Sequence, residues 1–222
     1  MKERPILFSA PMVRALLDSS KTQTRRVVKP QPGDYWNPVV GLYNPLVIDN
    51  GGYEAPGPEI FGAADETEGR KCLYGQPGDR IWVRETWRST GDGGRADYMA
   101  PRNLQPHQVW YDADGAAPAS ECTGKTRTSI HMPRWASRIL LEIVSVRVER
   151  LQDISDADTV AEGIDMEALA ESQDRYDIVC KGSGASGRAT ERTAWRDLWE
   201  STGGDWEANP WCWAITFKRV AP

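Results

Sequence analysis

The stretch that most constrains this chain is SRILLEIVSVRVERL, residues 137–151. Apolar residues occupy both faces of its first half, and β-branched residues alternate with polar ones over its second half. A strand that is apolar on both faces has to lie inside a sheet, covered above and below, whereas an alternating strand keeps one face toward water. The pattern predicts a central strand that becomes half-exposed toward its end. A chain of 222 residues is long enough to build one large domain around it.

Shorter elements fall into place around that strand. RPILFS reads as a strand ended by Pro11, and APMVRALLDSS sets Met12, Ala15 and Leu16 at helical spacing with Pro11 at the first helical position. TQTRRVV reads as a strand in which Thr24 and Arg26 share one face while Arg25 and Val27 take the other. In QPGDRIWVRETWRS, residues 76–89, Pro77-Gly78 marks a turn, and Ile81 and Val83 alternate with Arg80, Trp82 and Arg84. HQVWYDAD is a further short strand.

SDADTVAEGI predicts a helix with a capping box from Ser155 to Asp158 and an apolar stripe of Ala157, Val160, Ala161 and Ile164; Gly163 stops it. TERTAWRDLWEST predicts a second amphipathic helix, and NPWCWAITFKRV a closing strand. Residues at about 30–75, 90–130 and 165–189 are expected to be loop insertions, the first with one short hairpin, the last ending in KGSGASGR. The order of elements predicts a single α+β domain over 1–222, a curved sheet or small β-barrel with peripheral helices.

Charge and composition narrow the function. A net charge of −5 excludes a polycation that coats nucleic acid, so any such contact has to be local. Residues 14–29 offer Arg14, Lys21, Arg25, Arg26 and Lys29 against Asp18. Cys72, Cys122, Cys180 and Cys212 are scattered without a CxxC or a neighbouring histidine, which argues against a zinc site or a disulfide scaffold and for free thiols in a reducing cytosol. No apolar run suits a secretory signal or a membrane span, so the expectation is a cytoplasmic protein with no membrane partner, metal or cofactor. Ten tryptophans against three phenylalanines mean that indoles supply much of the apolar surface, and a buried indole N–H needs a partner. His107 and His131 lie in loop-like surroundings with no serine or carboxylate motif beside them and read as surface or hydrogen-bonded residues.

The chemistry-bearing stretch is SSKTQTRRVVKP, residues 19–30. A turn leading into a strand lets Lys21 and Thr24 point the same way, with Arg26 on the face of Thr24. A lysine ammonium beside a threonine hydroxyl lowers the hydroxyl's pKa, or accepts its proton if desolvated. Arg26 offers two parallel hydrogen bonds to an oxyanion or phosphate. Glu162 falls in the last turn of its helix, where the macrodipole disfavours a carboxylate. By residue type and spacing alone, the same residues also fit a solvated turn and a fraying helix end.

KTQTRR after a short helix, QPGDRIWVRETW, the long strand running into ISDADTVAEGI, and a tryptophan-rich last strand together resemble the ASCH superfamily, which has a PUA-like β-barrel fold. The likeness covers roughly 1–29, 76–89, 137–164 and 190–220, and the first segment is similar to proteins encoded by phages and prophages. It implies a hydrolase, an amidohydrolase acting on an N4-acylated cytidine or related base, with Lys21, Thr24 and Glu162 catalytic and Arg26 binding substrate. Trp82 and Trp87 are the candidates to stack on the base, and they fit the hydrophobic core at least as well. Arg25 is an additional arginine that the amidohydrolases do not require, and it favours a phosphate-bearing ligand. The rival implications are a non-catalytic RNA- or DNA-binding module, a ribonuclease using the same basic cleft, and a phage–host interaction protein. The implied partners are a nucleoside or nucleic acid, RNA in preference to DNA, and a host protein.

Overall fold

The computed structural model describes residues 1–91, 93–117, 123–180 and 189–221. In chain order the elements are β1 (Glu3–Leu7), α1 (Ala10–Leu17), β2 (Gln23–Val27), β3 (Val39–Tyr43), β4 (Leu46–Ile48), β5 (Glu54–Pro56), β6 (Ile60–Ala64) and β7 (Gly69–Lys71). They continue with β8 (Arg80–Arg84), β9 (Trp87–Ser89), β10 (Val109–Tyr111), β11 (Leu140–Arg150), α2 (Asp156–Ala161), α3 (Met166–Cys180), α4 (Glu191–Ser201) and β12 (Trp211–Val220). The architecture is mixed α+β with mostly small sheets, and no sheet among the described residues closes into a barrel.

The chain groups into two compact units. The first comprises Met1–Ser19, Leu73–Val144 and Phe217–Pro222; the second, Ser20–Cys72 and Ser145–Thr216. Strands β11 and β12 each begin in one unit and end in the other.

In the first unit β8 lies between β1, which it pairs in parallel, and the start of β11, which it pairs antiparallel with Trp82 opposite Leu140. Flanked on both sides, β8 buries Ile81, Trp82 and Val83 alike, so the expected alternation disappears at Trp82. The turn before it is set by Pro77 and by Gly78 at φ 87°, with Asp79 N donating to Gln76 O at 2.9 Å. That is the geometry of a type II turn, whose third position favours glycine because φ is positive there. Asp79 then accepts from Lys2 N and from Arg4, tying the chain start to this turn. A second core gathers Trp87, Ala96, Leu104, Met132 and Ala136 beneath the β9–β10 pair.

The second unit contains the later half of β11, then β12, then β2, the last two antiparallel with Thr24 opposite Ile215 and Arg25 opposite Ala214. Its core joins Leu151, Ile154, Ile164, Trp195, Trp199, Trp206 and Cys212. As the sequence predicts, α4 is amphipathic and supplies Trp195 and Trp199 to it from one face; Thr190 and Thr193 close a capping box at its start.

Two stretches expected as loops are more regular. Residues 30–75 hold a three-stranded sheet, β3–β6–β7, as well as the hairpin β4–β5. Part of 165–189 is α3, because Asp165 caps it by accepting from Ala168 N at 2.9 Å and Leu169 is buried. KGSGASGR lies outside the described residues.

Helix α2 departs most from its expected pattern. Ser155 accepts from Asp158 N at 3.1 Å and Gly163 ends the helix at φ 83°, as the sequence implies. The buried face, however, carries Thr159, Glu162 and half-buried Asp158, while Ala157 and Val160 of the expected apolar stripe are exposed. A helix buries polar residues only when something satisfies them. Here β2 does.

Candidate functional site

Segment 21–27 meets the end of α2 within the second unit. The last carbonyls of a helix lack intrahelical donors and carry the negative end of its dipole. Thr22 N donates to Ala161 O at 2.8 Å, and Lys21 Nζ donates to Glu162 O at 2.6 Å. The same ammonium donates to Glu162 Oε2 at 2.8 Å. Thus the lysine caps the helix and pairs with its terminal side chain, and both side chains are enclosed at 0% and 1% exposure.

Strand alternation decides what else faces that carboxylate. Gln23, Arg25 and Val27 share a face with their cross-strand partners Thr216, Ala214 and Cys212. Ala214 opposite Arg25 leaves room for a guanidinium, and Val27 with Cys212 joins the hydrophobic core beyond it. Arg25 Nη1 donates to Gln23 Oε1 at 2.7 Å and Glu162 Oε1 at 3.2 Å; Nη2 donates to Asp158 Oδ2 at 3.0 Å and to Glu149 Oε1. Gln23 Nε2 reaches Asp158 Oδ1 at 3.1 Å, and Arg147, half in solvent, reaches Asp158 Oδ2 at 2.7 Å.

Three cations, Lys21, Arg25 and Arg147, thereby face three carboxylates, Glu149, Asp158 and Glu162. Burial drives the Lys21 ammonium below the ordinary lysine value; Glu162 opposes this, and nearby Arg26 and Arg25 add to the lowering. Burial would also lower Arg25, but Glu162, Glu149 and Asp158 more than reverse it and the net shift is upward. Burial likewise pushes the Cys212 thiol up to about 12, leaving it a core residue without thiolate reactivity.

The structure therefore brings Lys21, Arg25 and Glu162 together. Thr24 and Arg26 lie on the opposite face of β2 from Gln23 and Arg25, with Ile215 and Trp213 as cross-strand partners; Thr24 is buried and Arg26 half-buried. Arg25, expected to favour a phosphate-bearing ligand, has a fully buried side chain whose fork is taken by internal acceptors. Sequence reasoning missed Glu149, Arg147 and Gln23 altogether and took Asp158 only as a cap.

In the first unit, Trp87 is fully buried in its core and offers no free face for stacking; Arg127 lies over its ring and Trp135 packs edge-on. Trp82 is buried in central strand β8 with Arg84 over its ring at 4.6 Å. Contrary to the expectation that buried indoles find partners, Nε1 of Trp87, Trp135, Trp195, Trp199 and Trp211 has none among the described residues. His107 has a serine after all. Its Nδ1 is 2.7 Å from Gln105 O, which fixes the proton there, so Nε2 accepts from Ser89 Oγ at 2.9 Å. Ser89 is fully buried.

Of the five cations of 14–29, Lys21 and Arg25 are buried, Arg26 is half-buried, and Arg14 and Lys29 are exposed. Arg14 donates to Ala113 O at 3.3 Å within the first unit, and Lys21 and Arg25 are consumed by carboxylates in the second. The second unit carries 22 acidic residues against 13 basic ones, the first 10 against 14, so the unit holding Lys21 and Arg25 is the acidic one. Among the described residues no cluster of histidine, cysteine, aspartate or glutamate is placed to hold a metal ion, and no helix is long and apolar enough to cross a membrane. Cys72 and Cys212 are free thiols.

Comparison of the chain with protein-family models, curated proteins and solved structures finds no match. What defines the protein is its own geometry: a mixed α+β chain with an enclosed lysine–arginine–carboxylate network where a strand meets the end of a helix.

Proposed function

We propose that this chain is an ASCH-type hydrolase with a PUA-like fold that cleaves the acyl group from an N4-acylated cytidine or a related modified base. The observation that carries the reading is the enclosed Lys21–Glu162 pair, with Lys21 Nζ 2.8 Å from Oε2 and its proton affinity lowered by burial. A proton passed within such a pair leaves its net charge unchanged, which suits a site that takes one proton and gives another. Strongly perturbed groups of this kind concentrate at functional sites.

In the proposed reaction the Lys21 ammonium first passes its proton to Glu162, and water then adds to the acyl carbon while the neutral Lys21 amine takes a proton from it. The C–N4 bond breaks as Glu162 gives the proton it received to the leaving amine. The test is turnover of N4-acetylcytidine to cytidine and acetate, followed by chromatography. Wild-type protein should turn over, and Lys21→Met and Glu162→Gln should each lose about 100-fold or more. No turnover of any N4-acylcytidine, or unchanged rates in both variants, defeats the reading.

A further inference from the structure

We propose that Arg25 is a positioning residue: it holds one oxygen of Glu162 so that the other is presented to Lys21, and is itself held by Glu149 and Asp158. The proposal rests on the reading of Lys21 and Glu162 as a proton-handling pair, and it gives the second arginine of KTQTRR a different task from binding ligand.

The argument begins with what Lys21 alone can do. Its ammonium is a point charge on a flexible stem, and a carboxylate held at one oxygen can still rotate. Arg25 supplies the second hold, with Nη1 3.2 Å from Oε1 while Lys21 occupies Oε2 at 2.8 Å. A guanidinium is planar and rigid, so fixing its far side fixes its near side. That far side is fixed by Glu149 Oε1 and by Asp158 Oδ2 at 3.0 Å, and Gln23 Oε1 steadies Nη1 at 2.7 Å. These partners come from β11, α2 and β2 itself, so three elements converge on one side chain.

The charge has a task as well. An arginine stays protonated at any working pH, so Arg25 is a permanent positive charge that disfavours the charged form of Lys21. Glu149 and Asp158 temper it. Moving the guanidinium away should raise the proton affinity of Lys21, whereas removing a tempering carboxylate should lower it. A merely structural arginine predicts loss of stability in both cases but no such opposition of sign.

The experiment follows the Lys21 side chain by lysine ¹³Cε NMR through a pH titration of the full chain, with Lys21→Met assigning the signal. Arg25→Gln removes both the charge and the fork, and should move the Lys21 midpoint up by about one pH unit. Glu149→Gln keeps Arg25 and should move it down by about half a unit. The second variant keeps the proposal testable if the first fails to fold. Midpoints that stay put, or shift in the same direction, overturn it.

With N4-acetylcytidine as substrate, Arg25→Gln should lower kcat about tenfold with KM within about twofold. Absence of wild-type turnover would defeat the hydrolase reading, while the NMR midpoints would still decide the role of Arg25.

Discussion

Arg25 and Arg138 are both arginines set among carboxylates, one in each unit, and the difference between them is instructive. Arg138 grips Glu85 at 3.0 and 2.9 Å and Asp114 at 2.8 and 2.8 Å, and its guanidinium stacks on Tyr111 at 3.9 Å. Glu85 is buried, and among the described residues Arg138 is its one cationic partner. Burial therefore keeps the Glu85 carboxyl above its ordinary value, with Arg138 offsetting only part of the rise. Glu162 has two cations, Lys21 and Arg25, and there it is the lysine whose proton affinity is displaced. One cation between two acids leaves a reluctant acid. Adding a lysine leaves a weakened base next to a carboxylate, which is the arrangement proton transfer can use.

The largest effect that would sharpen this contrast is in Lys21→Met, which leaves Glu162 buried with half its partners. It should cost about 3–5 kcal/mol in urea unfolding at pH 7. The double variant with Glu162→Gln should cost less than the two singles added together; strict additivity would mean that the pair does not interact. In wild type the unfolded chain holds the Lys21 proton more tightly, so stability rises with pH from the folded midpoint up to the ordinary value of 10.5. Lys21→Met should flatten that rise.

Arg138→Met comes next, at about 2 kcal/mol at pH 7, since its side chain is partly in solvent. The folded state holds the Glu85 proton more tightly than the unfolded one, so this group's stability is full below 4.5 and is lost as pH rises through the raised folded value. Without Arg138 that value rises further. Denaturation at pH 5 and pH 7 should show the smaller loss at pH 5, and equal losses would mean that Glu85 keeps its charge.

The smallest effect belongs to Asp158→Asn, at about 1 kcal/mol or less, because Asp158 is 19% exposed and Arg25 keeps other partners. Burial opposes ionisation of Asp158, but Gln23, Arg147 and Arg25 hold it below 3.8. Its contribution is therefore present above 3.8 and lost as pH falls through the folded value. Thermal melts should separate the variant from wild type at pH 6 and converge near pH 2; a gap that persists in acid would assign the effect to packing.

Much of the fold is legible locally. The double-sided apolar start of β11, Pro11 in α1, Pro77-Gly78 before β8, Gly163 after α2 and the tryptophan face of α4 each follow from residues within a few positions of one another. The misses are also local in appearance. Asp165 is an N-cap that the polar composition of 165–189 conceals, and β3–β6–β7 is a sheet of short strands inside a run rich in proline and glycine. In the site, Lys21 and Glu162 were nominated by motif. Glu149 and Arg147 had no such signal, since the bond from Arg25 to Glu149 joins residues 124 positions apart.

Helix α2 shows where the division falls. The sequence by itself determined that residues 156–161 form a helix, because caps and stops act through neighbouring backbone groups. It could not say which face is buried. An apolar stripe of Ala157 and Val160 is the cheaper face to hide, unless another element brings cations to the polar one. Only the tertiary structure set Lys21 and Arg25 there, more than 130 residues away in sequence, and so turned a cap, a helix end and a pair of basic residues into one enclosed network.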